Sequence, residues 1–213
     1  MSQAPPFPRP ARPDPSAADR ILVAALKCFA AEGIAATSLR SVATAAQVSI
    51  GLVQHHFGTK SGLVTAVNEF VLGVVADGVA ARPLPAPPAD TFGEIGHRVC
   101  SIMIEHPEVV DYLARAFVDG DDLAHTIFDG LVAISAGQWD QLADHGLLRP
   151  DIDRTWAALH PLILVLGTVM LRRQIERHLP APLADPEQLD RWDGAVAELL
   201  RGGLLSDRPT EGE

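Results

Sequence analysis

Apolar residues recur at helical spacing along most of the chain, and no stretch rich in Val, Ile and Thr alternates with the two-residue rhythm of a strand. Ile21, Leu22, Ala25, Leu26 and Phe29 mark one face of a first helix, with Ser16 placed to cap its start and Gly33 to end it. Leu39, Val42, Ala43 and Ala46 repeat the i, i+3, i+4, i+7 pattern behind a candidate cap at Thr37. This second helix has only about two turns and is too short to hold its shape alone, so it must pack on its neighbours. Ala46-Gln47-Val48-Ser49 fits a tight turn, and Ser49 can cap a third short helix that reaches Phe57. Gly58 breaks that helix and Thr59 opens a fourth, carried by Leu63, Val67, Phe70, Val71 and Val74.

Arg82 to Asp90 holds four prolines in nine residues and must be a loop. Beyond it the periodicity predicts helices near 90–105, 107–118, 121–145, 152–178 and 186–204, separated by Pro107, Gly120 and the stretches GLLRPD and LPAPLADP. The expected fold is all-α with about nine helices: an N-terminal helix-turn-helix unit over 18–75, a helical unit over 76–205, and disordered tails at 1–17 and 206–213.

The 213 residues suffice for a real core. Cys28 and Cys100 sit on apolar helix faces with no metal or redox spacing, as buried thiols of a reducing compartment do. The longest apolar run, Ala157 to Leu171, has 15 residues and includes His160 and Pro161, short of the roughly 18 needed for a span. With no signal-like N-terminus, a cytoplasmic protein without membrane contact is expected. The formal charge of −10 argues against a polyanionic partner until its distribution is considered. Residues 1–75 carry six Lys/Arg against four Asp/Glu, a net +2, which leaves −12 for the remainder. A mildly basic unit that meets a polyanion and an acidic one that does not would produce this split.

Helix, four-residue turn and helix on a preceding helix is the geometry that lays its last helix in a DNA major groove. Gly51 clears the approaching face, Gln54 can pair with adenine, and His55 can donate to a base acceptor or a phosphate. His56, about 100° round the helix, suits the backbone, while Val53 and Phe57 face inward. Lys60 adds charge at an amide-rich helix start that suits phosphate. The stretch TSLRSVATAAQVSIGLVQHHFGTKSGLVTAV, with Gln54, His55, His56, Phe57, Lys60 and Leu63 at matching positions, resembles the DNA-binding domain of the tetracycline-repressor (TetR) family over about 18–75. The resemblance implies DNA contacts at Arg40 on the second helix and at Thr37, Ser38 and Ser49. It also implies a dimer that reads a palindromic double-stranded operator, and C-terminal helices that form a small-molecule pocket and a dimerisation bundle. Two positions depart from the family pattern: Gln47 stands where a turn glycine is usual and Gln54 where a tyrosine is usual. Arg9 and Arg12 can reach a minor groove as a flexible arm, although an inert tail suits them better.

For the second unit the candidate pocket residues are His97, Met103, Tyr112, Arg115, Phe117, Trp139, Trp156 and His160, which join apolar bodies to polar tips. Helix 152–178 is apolar nearly all round in its middle, and with 186–204 it can build an isologous four-helix interface between two copies. No catalytic constellation, cofactor motif or metal spacing is present. Adjacent His55 and His56 cannot face one metal from a helix, and no His-Glu-x-x-His run accompanies the 8 histidines. The expectation is a ligand-responsive DNA-binding regulator, most naturally a repressor. A dimerisation adaptor with a vestigial DNA head is the alternative, and a metal-dependent enzyme comes third.

Overall fold

The computed structural model describes residues 16–120 and 122–204. The tail readings, including the Arg9/Arg12 arm, therefore lie outside the described residues apart from Ser16 and Ala17, which begin the first helix. Ten helices and no strand form the described chain: α1 Ala17–Glu32, α2 Leu39–Ala45, α3 Ile50–Phe57, α4 Lys60–Val79, α5 Thr91–Glu105, α6 Pro107–Asp119, α7 Asp122–Asp144, α8 Arg154–Met170, α9 Arg172–Glu176 and α10 Pro186–Leu204.

The first four helices are set by caps the sequence spells out. Asp19 N–H donates to Ser16 Oγ (3.1 Å) while Ser16 N–H donates to the Asp19 carboxylate (3.0 Å), a capping box that fixes the start of α1. At α2 the cap is Ser38, not Thr37: Ser38 and Ser41 exchange backbone-to-hydroxyl bonds of 3.0 Å each. Thr37 is buried and its hydroxyl donates to Gly33 O (2.8 Å), tying α2 to the end of α1. The turn closes as a Schellman motif, with Val48 N–H on Ala43 O (3.0 Å), Gln47 N–H on Thr44 O (3.2 Å) and Gln47 at φ 57°. Ser49 caps α3 through Leu52 N–H, and Thr59 caps α4 through Gly62 N–H.

Ile21, Leu26 and Phe29 of α1, Val42 of α2, Val53 of α3 and Leu63, Val67 and Val71 of α4 meet in one core, each at most 1% exposed. Burial on that scale contributes about 1.5–3 kcal/mol per large side chain, which is why two helices too short to stand alone hold their positions. The same core continues into α6 through Val109 and Tyr112, and Tyr112 Oη donates to Asn68 Oδ1 of α4 (2.6 Å) inside it. α4 runs unbroken past residue 75, so the two expected units share a helix. By length and composition it is apolar enough to cross a membrane, but here its apolar faces are used by α1, α3, α5 and α7.

α5, α7, α8 and α10 build the second half around two further cores. The proline loop between α4 and α5 is held by Arg98, which is buried. Its guanidinium donates to Val79 O (2.9 Å), Arg82 O (2.7 Å) and Pro83 O (3.2 Å) and pairs with Glu94 (2.8 Å), so one side chain caps α4 and fastens the loop. The helix expected over 152–178 is two: the chain breaks at Leu171 (φ −97°, ψ 12°). The break coincides with Arg172 donating to Asp111 of α6 (2.7 Å), a tertiary contact that an apolar run cannot announce.

Candidate functional site

At about 100° per residue, Ile50, Gly51, Gln54 and His55 fall on one strip of α3, and all four are exposed. Val53 lies on the opposite side in the core, with Phe57 half-buried beside it. A Cβ on Gly51 would meet only Ser49 Oγ, at 3.9 Å. Nothing inside the protein requires a glycine there, unlike Gly62, where a Cβ would sit 2.3 Å from Phe57 O. Ile50 was absent from the sequence-derived set. It is 45% exposed at the head of the strip, where an apolar group can meet a thymine methyl. Its spacing carries no signal in the sequence, since Ile50, Val53 and Phe57 follow the i, i+3, i+7 pattern of a single inward face.

His56 is exposed but sits about 100° from the strip, its ring 5.4 Å from that of His55 and 6.0 Å from that of Phe57. Arg40, Ser38 and Ser49 are exposed on the same head and both hydroxyl groups accept cap bonds; Ser38 Oγ also donates to Ser41 Oγ (3.2 Å), so a phosphate would have to take that donor from Ser41. Lys60 Nζ donates to Ala35 O (3.0 Å), which holds its ammonium between the α1–α2 loop and the start of α4. Thr37 is a correction: with its hydroxyl turned onto Gly33 O inside the fold, it presents no donor to a phosphate.

A second feature lies between α4, α5, α6, α7, α8 and α10, where a cavity of about 150 Å³ is walled by side chains such as Ile95, Met103, Ile134, Trp139, Val165 and Trp192. Three polar side chains interrupt this wall. Ser135 spends its hydroxyl on Ala158 O (2.8 Å), whereas Gln138 is 3% exposed and its Oε1 meets no donor. Asp193 lies against Gly96, where a Cβ would come within van der Waals overlap of its carboxylate. Burial pushes the Asp193 carboxyl above its ordinary value; His97 and Arg201 oppose that shift, and Asp190 and Asp90 add to it.

Of the eight expected pocket residues, Met103 and Trp139 line the cavity. The others do not. Tyr112 bonds Asn68 in the first core and Phe117 packs edge-on to Phe128. Arg115 is 41% exposed and pairs with Asp119 (2.9 Å). His97 is exposed on α5, and Trp156 and His160 stack on the outer face of α8 with ring centres 5.3 Å apart. A polar tip did not direct these side chains inward, because each found a partner or water on another face of its helix. Gln138 and Asp193, the polar groups at the cavity, read in sequence as ordinary helix-surface residues.

Trp156, His160, Ile163, Gly167 and Met170 form one stripe along α8, with Trp156 50% and Ile163 52% exposed and open space beside Gly167. Leu199 of α10 is a further exposed large apolar residue. Among the described residues no group of three or more His, Cys, Asp or Glu is placed to hold a metal ion.

An exposed strip on the third helix of a packed three-helix head, joined through α4 and α6 to a helical unit enclosing an apolar cavity, is the helix-turn-helix arrangement with a second helical domain. The family model for bacterial regulatory proteins of the tetR family matches residues 21–67, and that for tetracyclin repressor-like C-terminal domains matches residues 105–204. The chain belongs to the tetracycline-repressor family and is a DNA-binding transcriptional regulator. It is 29% identical over 197 residues to the HTH-type transcriptional regulatory protein RaaS of Mycobacterium tuberculosis, covering 92% of this chain and 90% of the relative. It is 24% identical over 202 residues to the HTH-type transcriptional repressor NicS of Pseudomonas putida, covering 87% and 91%. Among solved structures, the fatty acid degradation regulator FadR from Bacillus halodurans shares the fold at a TM-score of 0.72 and 13% identity, covering 90% of this chain and 98% of that one. These relatives are regulators rather than enzymes.

Proposed function

We propose that the protein is a cytoplasmic, non-catalytic repressor that binds a palindromic operator as a homodimer and leaves it when a small molecule enters the cavity. The observation that carries the DNA reading is the exposed Ile50/Gly51/Gln54/His55 strip, which is glycine-cleared without internal need and bears a side chain able to form a bidentate pair with adenine. Residues 18–75 form the reading head, with Ser38, Arg40, Ser49, His56 and Lys60 toward the phosphates, and 76–205 form the sensing and dimerising part. Lys60, held by Ala35 O, acts as much to fix α4 as to meet a phosphate.

The stripe of Trp156, His160, Ile163 and Met170 supports an isologous interface through α8 and α10, since an apolar strip of this kind is unfavourable in water and self-complementary about a two-fold axis. α6 supports a route for the signal. Val110 and Leu113 face the cavity, while Val109, Tyr112 and Ala116 sit in the core of the reading head, so a ligand that shifts α6 also shifts α1 and α4. The test is selection of duplexes from a random pool by the purified dimer at moderate salt. Recovery of two symmetric half-sites is expected. A folded dimer that enriches nothing overturns the reading in favour of the adaptor with a silent head.

A further inference from the structure

We infer that the cavity takes an apolar molecule carrying one positively charged amine, held by Gln138 and Asp193. This rests on the regulatory reading above and names the class of ligand that the sensor admits.

The polar groups at the cavity wall decide the class. Ser135 is spent on Ala158 O and the Trp192 indole N–H donates to Thr168 Oγ1 (3.1 Å), so neither is available to a ligand. What remains is the buried Gln138 carboxamide, whose Oε1 lacks a donor, the Trp139 indole N–H, and the half-buried Asp193 carboxylate, which feels the charges of His97 and Arg201 but takes no hydrogen bond from them. Gln138 Oε1 and the Asp193 carboxylate are acceptors. A buried acceptor left unpaired is costly, and a carboxylate at an apolar wall more so, unless a donor or a cation arrives. No Lys, Arg or His lines the cavity, and the cations near Asp193, His97 and Arg201, stand outside the lining with Arg201 paired to Asp90, so an acyl carboxylate would face Asp193 without a counter-charge of its own. A protonated amine answers both groups, since its N–H donors satisfy Gln138 and its charge neutralises Asp193, while Phe92, Ile134, Val165 and the faces of Trp139 and Trp192 take the apolar body. Gly96 keeps Asp193 in place, because only a residue without Cβ leaves room for the carboxylate against α5.

The probes are phenylbutylamine, phenylbutanol and phenylbutyrate, which share one apolar body and differ only in head group. Binding to the intact protein is followed by calorimetry and by tryptophan fluorescence, since Trp139 and Trp192 line the cavity. The amine should bind about tenfold tighter than the alcohol, as a charge-assisted bond adds over a neutral one, and the carboxylate weakest. Asp193→Asn should bring the amine down to the affinity of the alcohol without moving the alcohol. Gln138→Leu should weaken amine and alcohol alike, about tenfold or less. Carboxylate binding equal to that of the amine, an amine preference that survives Asp193→Asn, or no amine binding to the folded protein overturns the inference. Operator binding measured on the same preparation separates the two claims: intact operator binding with no amine preference sinks the ligand class alone, and absent operator binding sinks the regulatory reading.

Discussion

Gln47 occupies a position where the backbone asks for glycine, and replacing it measures what the turn costs. With φ at 57° in the Schellman closure of α2, the side chain's Cβ crowds the following carbonyl, a conformation that costs roughly 1–2 kcal/mol for an ordinary L-residue. Gln47→Gly removes that strain but enlarges the unfolded ensemble, a loss of about 0.4–1 kcal/mol. The side chain is exposed, so no packing is lost. At the centre of both ranges the net gain is about 0.8 kcal/mol, which at a urea slope of about 2 kcal/mol/M moves the unfolding midpoint up by about 0.4 M. The measurement is urea unfolding followed by circular dichroism at one fixed protein concentration, because a dimer's midpoint depends on concentration. Gln47→Ala keeps the strain and should stay within about 0.5 kcal/mol of the parent. A glycine variant no more stable than the alanine variant would refute the claim that the turn is strained.

Tyr112→Phe leaves Asn68 without its buried donor and should destabilise by about 1–3 kcal/mol in the same assay; a loss under about 0.5 kcal/mol would mean that this bond does not join α6 to the reading head. Ile163→Glu places a charge in the α8 stripe and should yield folded monomers by light scattering, whereas a persisting dimer would place the interface elsewhere. Because burial raises the Asp193 carboxyl in the folded state above its unfolded value near about 3.9, wild-type protein gains stability as pH falls from above the folded value toward the unfolded one. Asp193→Asn should therefore be the more stable protein at neutral pH, with its advantage shrinking in weak acid. An advantage constant with pH would show that the carboxyl titrates normally.

The reading head was largely legible because its determinants are local. Ser16, Ser49, Thr59, Gly33 and Gly58 each act within a few residues of themselves, and the periodicity of Ile21 to Phe29 and Leu63 to Val74 fixes which faces meet. Thr37 failed although its contact is also local: it and Ser38 are both chemically able to cap, and the Thr37 hydroxyl instead reaches back four residues to Gly33 O, leaving the cap to Ser38. The second unit was legible only as helices. Whether Tyr112 or Gln138 turns toward the cavity depends on how α4, α6 and α7 rotate against each other, and Asn68 claims the tyrosine from another helix altogether. Ile50 was missed because its spacing to Val53 and Phe57 assigns it to the inward face, and Asp193 because an acid on a polar helix reads as a solvated face.

The central claim is that the exposed strip of α3 reads bases in two symmetric half-sites. It is tested most directly by scanning every base pair of the selected duplex against the parent protein and against Gln54→Ala at one salt concentration. The account predicts that Gln54→Ala erases about 1–3 kcal/mol of discrimination at a single adenine-bearing pair in each half-site, at mirror-related positions, and leaves the other positions unchanged. A uniform loss across all positions, or a change in one half-site only, would contradict it.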